Sequence, residues 1–428
     1  MNSRTAAAPE ELSATGTSSV SSRSRETKER IFEKFWRPRE LSAKDKSVIY
    51  QKGRSRAYLV ILQTWQRSKS FLEESTQEMM ELTRSCLVEV TGVTQAHLPH
   101  PSPSHFLREG KLEEIRQQAK AAGANTLFFN VDLTPAQVRN IEKFTKIPAV
   151  DRTGLILDIF GRRAKTSEGK LQVELARLEY MLPRLGGLGV VFSRLGGGIG
   201  TRGPGETELE TDRRKFRKRI QSVKEELKKV KKHRELLRAG RRRRRLTTVA
   251  LVGYTNAGKS TLLNALTGAS TYVEDKLFAT LDTTTRAPKM SGRKDLLFVD
   301  TVGFLRDLPH GLIRAFHATL EEVSEADVLV HVLDASAPSP QDTKAAVEKV
   351  LGEIGAGSKP VILALNKADL MTREAQDRIQ GEWPAGILIS AKEKLGFRSL
   401  FARIEQLAPR EPFAEFPQGD EAARGGGA

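Results

Sequence analysis

Cysteine is nearly absent from this sequence, in which Cys86 is the only one among 428 residues. A single cysteine excludes an intramolecular disulfide and a zinc cluster of cysteine ligands, and it favours a reducing compartment. We interpret Cys86 as a core residue. The sequence also lacks any run of 18 or more apolar residues, so it predicts neither a membrane-spanning helix nor a membrane anchor. We therefore expect a cytoplasmic protein.

The first 24 residues are rich in serine, alanine and threonine but lack the apolar stretch of a secretory signal. Arginines among the serines leave an organelle transit peptide as an alternative, but Glu10, Glu11 and the missing amphipathic pattern argue against it. A segment with so few apolar residues cannot build a core, so disorder is the simpler interpretation. We expect disordered tails at residues 1–49 and 408–428.

Acidic residues are outnumbered, because 53 Asp and Glu face 70 Lys and Arg and leave a formal net charge of +17. Residues 212–245 alone contain 18 basic and 4 acidic residues, a net of +14, and end in five consecutive arginines, Arg241 to Arg245. Such a concentration of one sign indicates a polyanionic partner, most often nucleic acid. A solvated helix face is the plainer alternative. Anionic lipid is a third one, weakened by the lack of an apolar anchor.

Alternating strand and helix patterns predict a small α/β domain at residues 50–160. Apolar runs at residues 57–62 and 126–130 are typical of buried strands, and residues 111–122 and 135–144 show helical periodicity. The whole chain is long enough for two or three domains, and its 39% hydrophobic and 29% charged residues are typical of a globular protein.

Residues 161–245 contain two apolar stripes with the same spacing of 4, 3, 4 and 3 residues, which predicts two antiparallel helices packed along one seam. The stripe of the first helix is Leu171, Leu175, Leu178, Leu182 and Leu185. The stripe of the second helix is Phe216, Ile220, Val223, Leu227 and Val230. The alternative is that each helix packs separately on a neighbouring domain.

The connection between these two helices, residues 186–205, is unusually rich in glycine. Glycine accounts for 9 of its 20 residues, Arg194 and Arg202 lie within it, and it has no acidic residue. Glycine lets the backbone approach a ligand closely, and arginine binds phosphates and bases. Long loops at the tip of a rigid hairpin are more often functional than idle. A plain flexible linker is the alternative.

A phosphate-binding motif follows the apolar run at residues 247–252. The pattern GxxxxGK[ST] between a strand and a helix identifies a P-loop. Its residues are Gly253, Tyr254, Thr255, Asn256, Ala257, Gly258, Lys259 and Ser260, with Thr261 at the start of the helix. We expect backbone N–H groups to cradle the phosphates, Lys259 to reach the β and γ oxygens, and Ser260 to bind Mg²⁺.

A second predicted strand, residues 296–299, ends in Asp300 and is followed by Gly303. An acidic residue at a strand tip can hold Mg²⁺ through water, and the Gly303 N–H can sense the γ-phosphate, as in P-loop switch proteins. Phe278 and Thr280 lie where the first switch segment is expected, and Thr280 is the best candidate to complete the magnesium shell. Three threonines shortly after it compete for that role. The catalytic residues that we expect are Lys259, Thr280 and Gly303.

Guanine selectivity is indicated by two short motifs, each after a predicted strand. The first motif is Asn366, Lys367 and Asp369. The second is Ser390, Ala391 and Lys392. The Asp369 carboxylate would accept hydrogen bonds from the N1–H and 2-amino groups of guanine, which adenine lacks, and the Ala391 N–H would reach guanine O6. In this order after a P-loop, the motifs predict binding of GTP and GDP and argue against an adenosine-specific enzyme.

Phe304 follows Gly303 at the position where many small GTPases have a glutamine that orients the attacking water. Phenylalanine cannot orient water, because it has no hydrogen-bonding group. We therefore expect slow intrinsic hydrolysis of GTP to GDP and phosphate.

With these motifs, the chain resembles the HflX family of translational GTPases over roughly residues 87–407. The matching segments are residues 133–140, 151–160, 168–176, 196–206 and 253–260. The resemblance implies a GTPase that binds the large ribosomal subunit and its rRNA and splits stalled or idle ribosomes, with residues 196–205 reaching the peptidyl-transferase region. The rival interpretation is a ribosome assembly or rRNA-binding factor whose GTP hydrolysis times its release without splitting. We expect a monomer.

The chain departs from the family pattern in three places. Residues 105–111 are poorer in glycine than usual, which speaks against a second nucleotide site there, and Thr283 stands where proline is usual. Few residues follow Leu407, so we expect no extra C-terminal domain. Resemblance to potassium-using GTPases implies that Asn256 helps to bind K⁺, and the family resemblance implies that ribosomes stimulate hydrolysis.

Taken together, these features predict an α/β protein. A P-loop GTPase domain with a mostly parallel, doubly wound sheet is expected at residues 246–407. The small α/β domain at residues 50–160 and the basic, antiparallel helical hairpin at residues 161–245 would precede it.

Overall fold

The structure is a computed structural model that describes residues 56–64, 71–187, 204–243, 246–268, 277–278, 281, 283–288, 295–306 and 317–408. All of these residues belong to one compact unit, Tyr50–Ala428. The tails expected at residues 1–49 and 408–428 lie outside the described residues, apart from Ala408. Most of the glycine-rich loop also lies outside them.

Among the described residues, the N-terminal domain is a parallel sheet of four strands flanked by four helices. The strands are β1 (Arg56–Thr64), β2 (Glu89–Leu98), β3 (Thr126–Phe129) and β4 (Ala149–Val150), in the order β2-β1-β3-β4. The helices are α1 (Phe71–Ser85), α2 (Glu109–Ala121), α3 (Pro135–Thr145) and α4 (Arg152–Arg163). Both strands and both helices expected from the sequence are present, so the α/β prediction is confirmed.

Strand β1 is buried on both faces because helices cover both sides of the sheet. Its odd-numbered side chains, such as Leu59 and Ile61, pack with α1 and α4. Its even-numbered side chains, such as Val60 and Leu62, pack with α2 and α3. The chain runs outward from β1 to β2 and then crosses back to β3, so the carboxyl ends of β1 and β3 form the crevice where ligands of such sheets usually lie.

Two helices form the predicted hairpin, α5 (Ser167–Met181) and α6 (Pro204–Arg243). They run antiparallel, since Glu179 near the end of α5 pairs with Lys224, and Glu168 at its start pairs with Arg234 further along α6. Helix α6 has 40 residues and is therefore about 60 Å long.

The hairpin differs from the prediction in what α5 buries. Four leucines of its predicted stripe are only partly buried, and the fifth, Leu185, is buried but lies beyond the end of α5 at Met181. Val173 and Ala176 of α5 are instead buried in the core of the N-terminal domain. Helix α5 therefore packs on α6 with one side and on the N-terminal domain with another. This contact fixes the base of the hairpin to a folded domain.

In the described part of the chain, the C-terminal domain has a sheet of six strands and five helices. Its strands are β5 (Thr247–Val252), β6 (Thr284–Arg286), β7 (Leu296–Asp300), β8 (Val328–Asp334), β9 (Val361–Asn366) and β10 (Ile387–Leu388). The order is β10-β9-β8-β5-β7-β6, parallel except for β6 against β7. Its helices are α7 (Lys259–Thr267), α8 (His317–Glu325), α9 (Pro340–Glu353), α10 (Arg373–Glu382) and α11 (Phe397–Leu407). The mostly parallel, doubly wound sheet is confirmed.

None of the helices in the described part of the chain combines the length and apolarity needed to cross a bilayer.

Candidate guanine-nucleotide site

The P-loop connects β5 to α7 at the carboxyl edge of the sheet. Gly253 and Gly258 have φ of 154° and 92°, a region that side chains rarely adopt. A Cβ at Gly253 would lie 2.2 Å from the Val332 carbonyl oxygen, and one at Gly258 would lie 2.3 Å from Asn366 Nδ2. Both glycines of the motif are therefore required by the packing of the loop against neighbouring strands.

Lys259 begins α7 and is buried beneath the loop. Its Nζ donates hydrogen bonds to the carbonyl oxygens of Gly253, at 3.0 Å, and Tyr254, at 2.7 Å. Burial lowers the pKa of Lys259 to about 8, although the nearby Asp300 carboxylate raises it. A bound phosphate would favour the charged form in the same way, because opposite charges stabilise each other. The amine also lies at the N-terminus of α7, a position that favours phosphate groups.

The expected magnesium ligands Ser260 and Asp300 lie next to each other. The Ser260 hydroxyl donates to Asp300 Oδ2 at 2.7 Å, because β5 and β7 pair in parallel and bring the strand tip beside the first turn of α7. A hydroxyl and a carboxylate are the hard oxygen donors that Mg²⁺ prefers. Thr280 lies outside the described residues. Strand β6 places Thr284 opposite Asp300 in the sheet, so the competing threonines remain close to this edge.

Gly303 lies beside the P-loop, near the start of the segment between β7 and α8, which we call the second switch. A Cβ there would come 2.9 Å from Thr255 and 3.0 Å from Lys259 Nζ, so only glycine lets the backbone approach the lysine this closely. The next residue, Phe304, is fully buried among core residues of the C-terminal domain. Its backbone pairs with the P-loop, since the Phe304 N–H donates to the Gly253 carbonyl oxygen and its own carbonyl accepts from the Thr255 N–H.

The guanine motifs are held together by their own hydrogen bonds. The Asn366 amide donates to the Ala257 carbonyl oxygen of the P-loop at 2.8 Å. The Ser390 hydroxyl donates to the Asp369 carboxylate at 2.6 Å and thereby orients it. The Ala391 N–H donates to Asn366 Oδ1 at 2.9 Å, so contact with guanine O6 requires that this donor be shared or redirected.

Three further residues of the predicted site are placed at its border. Lys367 has a left-handed backbone with φ of 65°, and its ammonium group pairs with Asp334 at the end of β8. Thr261 lies in the first turn of α7, and Lys392 is exposed after Ala391. Nucleotide contacts of these residues stay predictions. Sequence reasoning missed Asp334, although an acidic residue that ends an apolar strand is a usable signal.

The N-terminal domain forms one wall of the cavity beside the P-loop. This cavity has a volume of about 530 Å³ and is lined by Asn130, Asp132 and Arg152 from the crevice of the N-terminal sheet. Across from them lie Asn256 and Lys367. The nucleotide motifs and the N-terminal crevice therefore share one space.

The first switch segment also contacts the N-terminal domain. Phe278 is buried, and its ring meets the Phe160 ring of α4 edge to face, with centroids 4.6 Å apart. Leu277 and Leu281 join the same apolar cluster. The sequence predicted Phe278 as a nucleotide contact, and the structure uses its side chain to pack the two domains together.

A second group of residues that the sequence did not reveal connects α1 to the nucleotide site. Glu78 accepts hydrogen bonds from Tyr254 and Arg152, and Glu74 accepts from Arg306 and Ser339. Contacts between residues so far apart in sequence leave no local pattern, because helical periodicity reports only which face of α1 is buried.

Helix α6 presents six exposed cations on the side opposite the buried Val223. These residues, which we call the outer stripe, are Arg214, Arg217, Lys218, Lys228, Lys229 and Lys232. Their spacing keeps them on one helix face over about 27 Å. Within the outer stripe, Arg214 and Arg217 pair with Glu210 of the same helix. Cations on other sides of α6 pair with acidic residues of neighbouring helices. Lys231 and Arg234 both pair with Glu321 of α8, the helix that follows the second switch.

Comparison with known proteins gives the same division of the chain. Three family models match in order: GTP-binding GTPase N-terminal at residues 73–161, GTP-binding GTPase Middle Region at residues 163–241, and 50S ribosome-binding GTPase at residues 248–367. Their borders fall between the N-terminal domain, the hairpin and the C-terminal domain.

Two curated proteins are similar over most of their length. The GTPase HflX of Caldanaerobacter subterraneus subsp. tengcongensis is 48% identical over 343 residues, which cover 80% of this chain and 78% of that protein. The GTPase HflX of Escherichia coli (strain K12) is 45% identical over 335 residues, which cover 78% and 79%. A solved structure of a GTP-binding protein from the hyperthermophilic archaeon Sulfolobus solfataricus in complex with GDP is 25% identical, covers 82% of this chain and 98% of its own, and has a TM-score of 0.42.

Proposed function

Because the chain belongs to the HflX family of GTPases and is a GTP hydrolase, we propose that it binds the large ribosomal subunit and splits stalled or idle ribosomes. GTP binding and hydrolysis would control its association and release, in the cytoplasm. The observation that supports this best is that α6 carries the outer stripe and, on another side, pairs through Lys231 and Arg234 with Glu321 of α8. One element thus carries both an RNA-binding face and a connection to the GTP site.

Ribosomal RNA is the partner that the outer stripe fits. Six exposed cations along about 27 Å can each neutralise a phosphate and release its counterions. An ordinary solvated helix would carry mixed signs, whereas residues 212–245 have a net charge of +14. The matching model for residues 248–367 describes a 50S ribosome-binding GTPase, which supports the large subunit as the partner.

Mg²⁺ would be held by Ser260, Asp300 and Thr280, and would neutralise charge on the β and γ oxygens of GTP. Asn256 is an exposed residue of the P-loop with φ of 59°, and its side-chain oxygen would help to hold K⁺. Lys259 would bind the same phosphate oxygens from below. Asp369, oriented by Ser390, would select guanine.

Hydrolysis by the isolated protein would be slow. The Phe304 side chain is fully buried in the core of the C-terminal domain, so it neither reaches nor orients the attacking water. A further group must act on the water, and ribosomes would promote this by reshaping the switch segments. A high rate for the isolated protein in sodium buffer, unchanged by ribosomes, would contradict this part of the proposal.

A sucrose gradient of intact ribosomes incubated with the protein and GTP tests the function. Splitting predicts that the intact-ribosome peak is replaced by two subunit peaks, with the protein on the large subunit. An assembly or rRNA-binding factor with timed release would leave the intact peak unchanged. The Lys259→Ala variant serves as the control for nucleotide dependence, because it removes the amine that reaches the phosphates.

Deletion of residues 196–205 separates docking from splitting. This segment contains one charged residue, Arg202, so its loss should spare the electrostatic attraction of the outer stripe. We expect the deletion variant to bind large subunits and to leave intact ribosomes unsplit. Splitting at the parental rate would show that the segment is only a linker.

A further inference from the structure

Tyr254 uses its side chain outside the phosphate cradle to which its backbone belongs. The phenolic hydroxyl donates a hydrogen bond to Glu78 Oε2 of α1 at 2.9 Å and accepts one from the Arg306 N–H at 3.1 Å. One atom therefore connects three segments: the P-loop, the N-terminal domain and the backbone just after Gly303.

We propose that Tyr254 and Glu78 are positioning residues for GTP, through which the N-terminal domain holds Gly303 where its N–H can meet the γ-phosphate. This role goes beyond ribosome binding, and it concerns the nucleotide-binding protein on its own. The residues would act on the difference between GTP and GDP, because the two nucleotides differ only in the γ-phosphate.

The backbone between Gly303 and Arg306 is held from both ends. At one end, the Phe304 N–H donates to the Gly253 carbonyl oxygen, and the Phe304 carbonyl accepts from Thr255. At the other end, the Arg306 N–H donates to the Tyr254 hydroxyl. In the described part of the chain, no protein group accepts a hydrogen bond from the Gly303 N–H. That donor is therefore presented beside Lys259 rather than used within the fold.

The N-terminal side of this connection is rigid. Glu78 is fixed by the buried Arg152, whose Nε and Nη2 donate to Glu78 Oε1 at 2.9 and 2.6 Å. One turn earlier on α1, Glu74 pairs with the Arg306 side chain and accepts from the Ser339 hydroxyl at 2.6 Å. Two carboxylates on one face of α1 thus hold Arg306. Glu78 holds its backbone through the Tyr254 hydroxyl, and Glu74 holds its side chain.

The Tyr254 hydroxyl stays protonated, so it can keep its hydrogen bonds to Glu78 and Arg306. Burial raises the pKa of the Tyr254 hydroxyl well above its usual range, and the adjacent Glu78 carboxylate raises it further. The hydroxyl therefore keeps its proton at physiological pH and can donate to Glu78 while it accepts from Arg306. Phenylalanine at this position would keep the ring and lose both hydrogen bonds.

The test compares nucleotide affinities and turnover of the full-length variants Tyr254→Phe, Glu78→Ala and Glu78→Gln, without ribosomes. Affinities are measured with fluorescent GDP and a non-hydrolysable fluorescent GTP analogue, and kcat is measured separately. For Tyr254→Phe and Glu78→Ala we expect the GTP affinity relative to GDP and the kcat each to fall roughly tenfold, as for loss of a buried hydrogen bond. The affinity of both variants for GDP should stay within about twofold of the parental value. Glu78→Gln keeps an acceptor for Tyr254, so its relative GTP affinity and its kcat should both lie between those of Glu78→Ala and the parent.

Tyr58→Phe is the matched control. The Tyr58 hydroxyl is also hydrogen bonded in the interior, to Thr94 and Gln118 of the N-terminal domain, but lies on the sheet face away from α1. The Tyr58→Phe variant should have a lower free energy of unfolding but an unchanged ratio of GTP to GDP affinity.

The proposal would be overturned if Tyr254→Phe kept the parental ratio of GTP to GDP affinity and the parental kcat. An equal loss of GTP and GDP affinity would overturn it too, because that result indicates general damage to the P-loop. If Glu78→Ala does not fold, Tyr254→Phe decides alone, since it removes a single oxygen atom. Ribosome binding is not part of the readout, so this inference can fail while the proposed function stands.

Discussion

The nucleotide site and the outer stripe of α6 handle charge in opposite ways. In the site, charged groups have fixed partners within hydrogen-bonding distance, as for the buried Lys259 with two carbonyl oxygens and the partly buried Lys367 with Asp334. On α6, the six cations of the outer stripe are exposed to solvent. Buried charges interact strongly over short distances, whereas exposed charges are screened and act through their number.

This difference assigns separate tasks to the two regions. A carboxylate such as Asp369, which is exposed but oriented by one hydroxyl, can distinguish two bases by single hydrogen bonds. A row of exposed cations cannot read such detail, but it can bind any surface rich in phosphates. We therefore expect single substitutions to have large effects in the site and small effects on α6, where only combined substitutions should matter.

The largest effect is expected for Asp369→Asn, which exchanges the acceptor for guanine N1–H. The preference for guanine over xanthine nucleotides should change by about 10⁴-fold, because a site built to hydrogen-bond one group rejects an analogue that leaves it unpaired. Competition titrations with GDP and xanthosine diphosphate measure it. Asp377→Asn is the control, since Asp377 is exposed on α10 and its loss should leave the preference unchanged. Tight binding of ATP by the parent protein would contradict the assignment.

A smaller effect, in stability, is expected at His331, which is buried in β8 beneath the P-loop. Burial and, to a smaller extent, the nearby Lys344 and Lys259 lower its pKa from 6.5 to about 3. Below pH 6.5, the unfolded chain binds a proton that the folded chain does not. The free energy of unfolding should therefore fall by about 2 kcal/mol between about pH 8 and about pH 5 through this residue.

Urea unfolding of His331→Leu at both pH values measures this contribution. Leucine has a similar volume and cannot ionise, so the variant should lose about 2 kcal/mol less than the parent over the same pH range. His97→Gln is the control, because His97 is exposed on β2. An identical pH dependence of the parent and His331→Leu would show that His331 is not held neutral.

The smallest effect is expected for Lys224→Ala on α6. Lys224 pairs with Glu179 of α5 at 2.8 Å, but both side chains are partly exposed, at 46% and 37%. Such pairs contribute less than about 1 kcal/mol to stability, and salt weakens them further. Thermal unfolding at low and high salt checks this. A loss well above that limit would mean that the charges of α6 hold the hairpin together.

The strands that lead into the motifs, the P-loop and the guanine motifs were predictable because their signals are local. Residues 247–252 form β5 as expected, and the glycines of the P-loop occupy backbone conformations that only glycine adopts readily. The antiparallel hairpin followed from its repeated apolar spacing. Strand β2 was missed because it is an edge strand with mostly half-exposed residues, so it has neither a continuous apolar run nor a clear alternation.

The domain interface at the site could not be read from the sequence. Glu78 and Tyr254 are 176 positions apart, and nothing in the local pattern of α1 distinguishes a carboxylate that faces the P-loop from one that faces water. The same applies to Phe278, whose position in the first switch suggested a nucleotide contact. Its edge-to-face contact with Phe160 depends on how the N-terminal and C-terminal domains pack against each other.

The salt dependence of binding to purified large ribosomal subunits tests the central claim most directly, namely that the outer stripe docks on rRNA. The variant replaces Arg214, Arg217, Lys218, Lys228, Lys229 and Lys232 with glutamine, and its GDP affinity should stay parental. Each lost phosphate contact removes about 0.7 to 0.9 from the slope of the logarithm of the binding constant against the logarithm of the salt concentration. The account predicts that the slope becomes shallower by about 4 to 5 and that affinity at low salt collapses. A parental slope in this variant would contradict it and would place the docking surface elsewhere on the molecule.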